Sequence, residues 1–209
     1  EEGFPDEFLA SLHPGLAGIV DTRIQRDLRP LGERAGVLTE EWADALVLAP
    51  DTAVAISTLD AHTSVPATGV TEPGRMVMIM GTSICHLVIG EERHEVEGMC
   101  GVIQGGITPS TWGFEAGQSC VGDHFAWFVD SQAPAEDVAA AAARGVSVNQ
   151  VLEERAATIE PGESGLLALD WWNGNRSVLV DADLTGLMLG MTLRTRPEEM
   201  YRALMEATA

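Results

Sequence analysis

Three stretches of the chain hold side chains whose types and spacing suit group transfer. They are Asp60 in LDAHTSVPATG, Gly81-Thr82-Ser83 between two apolar runs, and Glu115 in TWGFEAGQS. A carboxylate at a strand end can accept the proton of a substrate hydroxyl while that oxygen attacks phosphorus. An Asp there is also a common N-cap of the next helix, so both readings of Asp60 stand at this level. Successive N–H groups of a Gly-Thr-Ser turn can converge on anionic oxygens. Gly81 would let a phosphate approach, and Thr82 and Ser83 would add hydroxyl donors. The same three residues also make an ordinary tight turn. The sequence contains neither GxxxxGK[ST] nor GxGxxG, so the phosphate reading rests on no standard nucleotide fingerprint. Glu115, flanked by aromatic and glycine residues, reads either as a solvated carboxylate or as an acceptor for a sugar hydroxyl.

Other reactive types read as structural. His86 and His94 lie near Cys85 and Cys100, without the paired CxxC or HxxxH spacing of a zinc site. His62 follows Asp60 too closely to share its direction on a helix or strand. Trp171 and Trp172 suit a core or an interface, and Met76, Met78 and Met80 alternate as packing residues of one strand face.

These groups need elements to position them. Thr39 can cap a helix that has Glu40 and Glu41 in its first turn and Trp42 and Leu46 on its apolar face. AVAIS at 53–57 suits a buried strand ending near Asp60. The turn-rich GVTEPG at 69–74 marks a domain boundary. RMVMIM and CHLVIG form a strand pair around Gly81-Thr82-Ser83, with further strands at 101–107 and 166–170. FAWFV at 125–129, the alanine-rich 135–143 and the segment 147–157 favour helix. A last helix opens at Thr195-Arg196-Pro197-Glu198, a capping-box pattern with proline in the first turn, and places Met200, Leu204 and Ala207 on one face. The chain stops inside that helix, which suggests part of a longer protein.

The composition is 45% hydrophobic, enough for a core, and the formal net charge is −20. That charge opposes binding to nucleic acid or to an anionic membrane and favours a small-molecule partner, without excluding a nucleotide. Cys85, Cys100 and Cys120 are unpaired by spacing and no charged-then-apolar leader is visible, so a cytoplasmic protein with reduced thiols is expected. The longest apolar runs, such as MVMIM, fall far short of the roughly 20 residues that span a bilayer.

The strings LDAHTSVPATG, MVMIMGTSICH, EVEGMCGV, GFEAGQSCVGDHFAWFVD and LLALDWWNGNRSVLVDADLTGLMLG together resemble the ribulokinase branch of the FGGY carbohydrate kinases over nearly the whole chain. The resemblance implies an α/β protein of the actin and hexokinase (ribonuclease H-like) type, with two domains flanking a cleft. This chain would represent it only in part. Residues 1–72 would be the C-terminal part of the first, sugar-binding domain, and 73–209 the N-terminal part of the second, nucleotide-binding domain. By the same resemblance Asp60 is the catalytic base and touches the sugar. Gly81 and Thr82, with Ser83 adjacent, contact ATP phosphates, Glu115 contacts the ketopentose, and Gly122, five residues before Trp127, approaches the nucleotide. The implied reaction transfers phosphate from ATP, with Mg2+, to L-ribulose, as in L-arabinose catabolism, and a homodimer is open to it. GLMLGMTLRTRPEEMYRALMEA resembles a second family signature, with Leu204 where a smaller or β-branched residue is usual. The first phosphate loop and the adenosine loop would lie outside the chain. Two rivals stand beside this reading: another FGGY kinase acting on xylulose or a related polyol, and a non-catalytic acidic interaction domain.

Overall fold

The computed structural model describes residues 6–23 and 27–209, which fall into two compact units, Glu1–Ser57 and Thr58–Ala209. In the first unit, helices α1 (Asp6–Leu12) and α2 (Ile19–Arg23) precede strand β1 (Arg34–Val37), helix α3 (Glu40–Leu46) and strand β2 (Ala53–Ala55). Thr39 caps α3 as expected, its hydroxyl accepting from the Trp42 N–H at 3.4 Å. The face of α3 is not the one expected: Trp42 and Leu46 are exposed and Ala43 is the buried residue. Strand β2 also departs from expectation. It covers three residues, is exposed throughout and ends well before Asp60. Among the described residues it pairs with β1 alone, in an antiparallel ribbon that sets Val37 opposite Ala53, and a two-stranded ribbon gives a strand little cover.

The second unit opens with helix α4 (Asp60–Ala67) and an antiparallel sheet of β3 (Met76–Met80), β4 (Ile84–Gly90), β5 (Gly101–Gln104) and β6 (Trp112–Gln118), in the order β3-β4-β6-β5. Strand alternation sends Val77, Leu87 and Ile89 to one face, where Val65 of α4, Val70 and Ile107 complete an apolar cluster. The methionines of β3 take the other face. Met76, Met78 and Met80 are all exposed, so they are not packing residues within this chain. The expected strand 101–107 stops at Gln104, because Gly105, with φ of 69°, turns the chain.

Helices α5 (Gly122–Gln132), α6 (Ala135–Arg144), α7 (Val148–Ala156) and α8 (Pro197–Thr208) surround a second cluster of Phe128, Leu152, Ala156, Tyr201 and Leu204, beside the short antiparallel pair β7 (Leu167–Leu169) and β8 (Leu187–Leu189). The helical expectation for 125–129, 135–143 and 147–157 and the strand expected at 166–170 appear here. Local signals explain α6 and α7: Gly145 ends α6 in the left-handed region, and the Ser147 hydroxyl caps α7 by accepting from the Gln150 N–H. At α8 the cap lies one residue later than the Thr195 pattern suggested. The Glu199 carboxylate accepts from the Arg196 N–H, whereas the Thr195 hydroxyl turns back to accept from Thr192 N–H. No helix among the described residues is long and apolar enough to cross a membrane.

Candidate active site

Asp60 stands at the first position of α4, not at a strand end and not at the cap, which Leu59 holds without a side-chain hydrogen bond. Its side chain is exposed, and it has no hydrogen-bond or ion-pair partner among the described residues. Two residues on, the helical turn carries the next polar side chain to the opposite side, and His62 is buried.

His62 is where the structure adds most to the sequence reading. Its Nδ1 lies 3.0 Å from the Gly106 carbonyl oxygen and its Nε2 3.0 Å from Glu115 Oε2. Glu115 sits opposite Leu87 in the β4–β6 ladder, on the sheet face that α4 covers. Its second carboxylate oxygen pairs with the guanidinium of Arg176, whose other nitrogen is 3.5 Å from the Cys85 sulfur. Gly117, on the same strand face, makes this approach available: a Cβ there would fall 3.4 Å from the guanidinium and 2.2 Å from the Ile84 carbonyl oxygen. Burial pushes the Cys85 thiol above its ordinary value, with Arg176 pulling the other way. Glu115 is thus a half-buried ion-pair centre, not a solvated carboxylate.

Gly81-Thr82-Ser83 forms the β3–β4 loop as expected, and Gly122 packs directly on it. The N–H groups of Val121 and Gly122 donate to the Thr82 and Gly81 carbonyls at 2.8 and 3.0 Å. A Cβ at Gly122 would stand 2.7 Å from the Gly81 oxygen, so only glycine lets α5 begin this close to the loop. The Gly81 N–H is spent within the loop on the Ser83 carbonyl at 2.9 Å. The N–H and hydroxyl groups of Thr82 and Ser83 form no hydrogen bond with the described residues, which leaves donors for an anion next to the start of α5. The four residues expected at the nucleotide are therefore together. No cluster of three or more His, Cys, Asp or Glu side chains among the described residues is placed to hold a metal ion.

Beside the start of α5 a cavity of about 290 Å³ is lined by Cys120, Asp123, His124, Trp127, Trp172 and Asn173. Trp172 stacks at 5.0 Å on Trp127 and packs on the second cluster, as its structural reading predicted. Burial holds the His124 imidazole down at about 4.

Sequence reasoning did not pair Glu115 with its two partners here: it read His62 as structural and did not single out Arg176. His62 lay within the quoted LDAHTSVPATG string, and Arg176 is the only basic residue between Arg155 and Arg194, set among WWNGN and SVLV. A lone cation in such surroundings signals a paired charge.

Comparison with known proteins bears on the family and the fold. A family profile described as the FGGY family of carbohydrate kinases, C-terminal domain, matches residues 76–209. A ribulokinase of Anoxybacillus flavithermus is 59% identical over 100% of this chain, and the match covers 37% of that protein. A ribulokinase of Mycolicibacterium smegmatis is 50% identical over 97% of the chain and 36% of its own length. The chain therefore spans little more than a third of the curated relatives it matches. Among solved structures, a xylulose kinase from Rhodospirillum rubrum superposes with a TM-score of 0.71 at 22% identity, over 93% of this chain and 37% of that one. Glycerol kinase of Plasmodium falciparum gives 0.64 at 15% identity, over 92% and 36%. These likenesses identify the fold, the actin- and hexokinase-like α/β architecture of sugar kinases, present here in part. With the profile covering most of its length, the chain belongs to the FGGY family of carbohydrate kinases.

Proposed function

We propose that the protein containing this chain is a ribulokinase, transferring the γ-phosphoryl group of ATP to a terminal hydroxyl of L-ribulose to give L-ribulose 5-phosphate and ADP. One observation carries the reading. A free carboxylate at Asp60, a charge-paired carboxylate at Glu115 and an unpartnered donor loop at Thr82 and Ser83 lie on one sheet and the helix covering it. The relatives named ribulokinase support the choice of sugar.

In this reading Asp60 accepts the proton of the attacking hydroxyl as its oxygen bonds to phosphorus and the bond to the departing ADP oxygen breaks. Glu115 keeps lone pairs beyond those used by His62 and Arg176, so it can still accept from a ketopentose hydroxyl. Thr82 and Ser83 donate to phosphate oxygens, with Gly81 and Gly122 keeping the loop and the start of α5 in contact. Mg2+ enters with ATP as part of the substrate, in keeping with a cation that prefers phosphates and water to an all-protein cage. For the whole kinase we assign 1–72 to the first domain and 73–209 to the second, although within this chain the compact unit that holds α4 begins at Thr58. The helix bearing Asp60 packs against the sheet of the second unit through Val65, so the base and Glu115 are supported by one framework.

Asp60→Asn in the intact kinase tests the reading. We expect kcat to fall by about 10² or more, with a much smaller change in ribulose KM. Near-normal turnover would remove Asp60 from the chemistry.

A further inference from the structure

The surroundings of His62 offer hydrogen-bond acceptors on both sides. Nδ1 faces a backbone carbonyl, which can only accept, and Nε2 faces Glu115. Neutral imidazole has one donor nitrogen and one acceptor nitrogen, so it satisfies both contacts only if Glu115 is the protonated partner. The second Glu115 oxygen is ion-paired with the guanidinium of Arg176, which can only donate. We infer that His62 is held as an imidazolium donating from both nitrogens, and that it is the positioning residue that fixes Asp60 relative to Glu115.

The geometry of the surrounding segment supports the second half of this inference. The Thr58 hydroxyl also donates to the Gly106 carbonyl at 3.0 Å. Asp60 is thereby bracketed by two residues tied to the same oxygen, and His62 extends the tie to Glu115 on β6. The first turn of α4 cannot slide along the sheet without breaking one of these bonds. A buried charge is costly unless paired and hydrogen-bonded, and here the imidazolium, the carboxylate and the guanidinium satisfy one another. With its charge balanced by two cations, Glu115 presents to the sugar a hydrogen-bond acceptor in a locally non-anionic setting, suited to a neutral polyol. Two thiols also border this network, that of Cys85 3.5 Å from Arg176 and that of Cys100 3.2 Å from the Glu115 carbonyl oxygen, whereas His86 alternates to the other side of β4.

This inference rests on the sugar-kinase reading for its functional half and on hydrogen-bond chemistry for its charge. Two measurements on the intact kinase keep them apart. Nitrogen NMR of histidine-labelled protein at neutral pH, with the His62 signals assigned by their loss in His62→Gln, should show both ring nitrogens protonated. A neutral tautomer would overturn the inference whatever the kinetics show. His62→Gln, which keeps one donor, should raise ribulose KM about tenfold and lower kcat about tenfold, leaving ATP KM within about twofold. His62→Met should lose more on both sugar-dependent quantities. Unchanged ribulose KM, or an equal rise in ATP KM, would overturn the positioning role. Glu115→Gln judges the underlying reading: unchanged ribulose affinity beside a doubly protonated His62 would retire Glu115 as a sugar contact and leave the charge assignment standing.

Discussion

At the residue scale, the two buried histidines of the second unit make opposite uses of burial. His62 meets acceptors at both nitrogens, whereas His124, 1% exposed, is held down at about 4 from an ordinary 6.5, chiefly by desolvation. For His124 the folded state binds its proton more weakly than the unfolded state does. The cost is therefore absent above the unfolded value, grows as pH falls from 6.5 toward 4, and levels off below that. Fully developed it amounts to about 3 kcal/mol. Melting of the intact kinase should shift down between about pH 7 and pH 5, and His124→Leu should remove part of that shift. An equal acid shift in both proteins would assign it elsewhere. The two histidines also mark the limit of sequence reading at this scale. Asp60 and Glu115 were legible as reactive carboxylates, but the partners of Glu115 were not. His62 and Arg176 lie 53 and 61 residues from it along the chain, a separation no local pattern spans.

At the element scale, the sites of closest approach decide more than the lengths of helices and strands. The donor loop and α5 touch because Gly122 has no Cβ to meet the Gly81 oxygen at 2.7 Å. Gly122→Val should push the helix from the loop, costing about 1 to 3 kcal/mol in stability and raising ATP KM about tenfold, with ribulose KM little changed. Steady-state kinetics with each substrate varied in turn would read this, and an unaltered ATP KM in a folded variant would detach Gly122 from the nucleotide. Elements with local punctuation were legible in the sequence. The β3–β4 pair announced itself by two apolar runs around Gly-Thr-Ser, and α6 and α7 by the helix propensity of 135–143 and 147–157. Helix α4 was not, because DAHTSVPA combines β-branched residues with a proline and has low helix propensity. It forms where Val65 and His62 find partners on the sheet, an instance of tertiary contact overriding propensity.

At the scale of the whole molecule, phosphoryl transfer needs groups held on both sides of a substrate, and this chain corresponds to about 37% of its ribulokinase relatives. Misplacement of about 1 Å can cost around 10² in rate. The 209 residues expressed alone should therefore show no robust ADP release with L-ribulose and ATP, and sugar-dependent turnover at kinase rates would show that the chain is sufficient. Family and fold class were legible in the sequence at this scale because whole strings carry them. Which apolar surfaces stay open was not, since solvent exposure depends on what packs where. Strand β3 illustrates the point, with Val77 and Ile79 turned inward and Met76, Met78 and Met80, 55%, 43% and 67% exposed, turned outward along a sheet edge. Thioethers so placed are open to peroxide, which turns each into a polar sulfoxide. Oxidation would thus mark every second residue of the strand and spare the partly buried Met188, Met200 and Met205 around the helical cluster. The strand would carry in its chemistry a record of which of its faces had met the solvent.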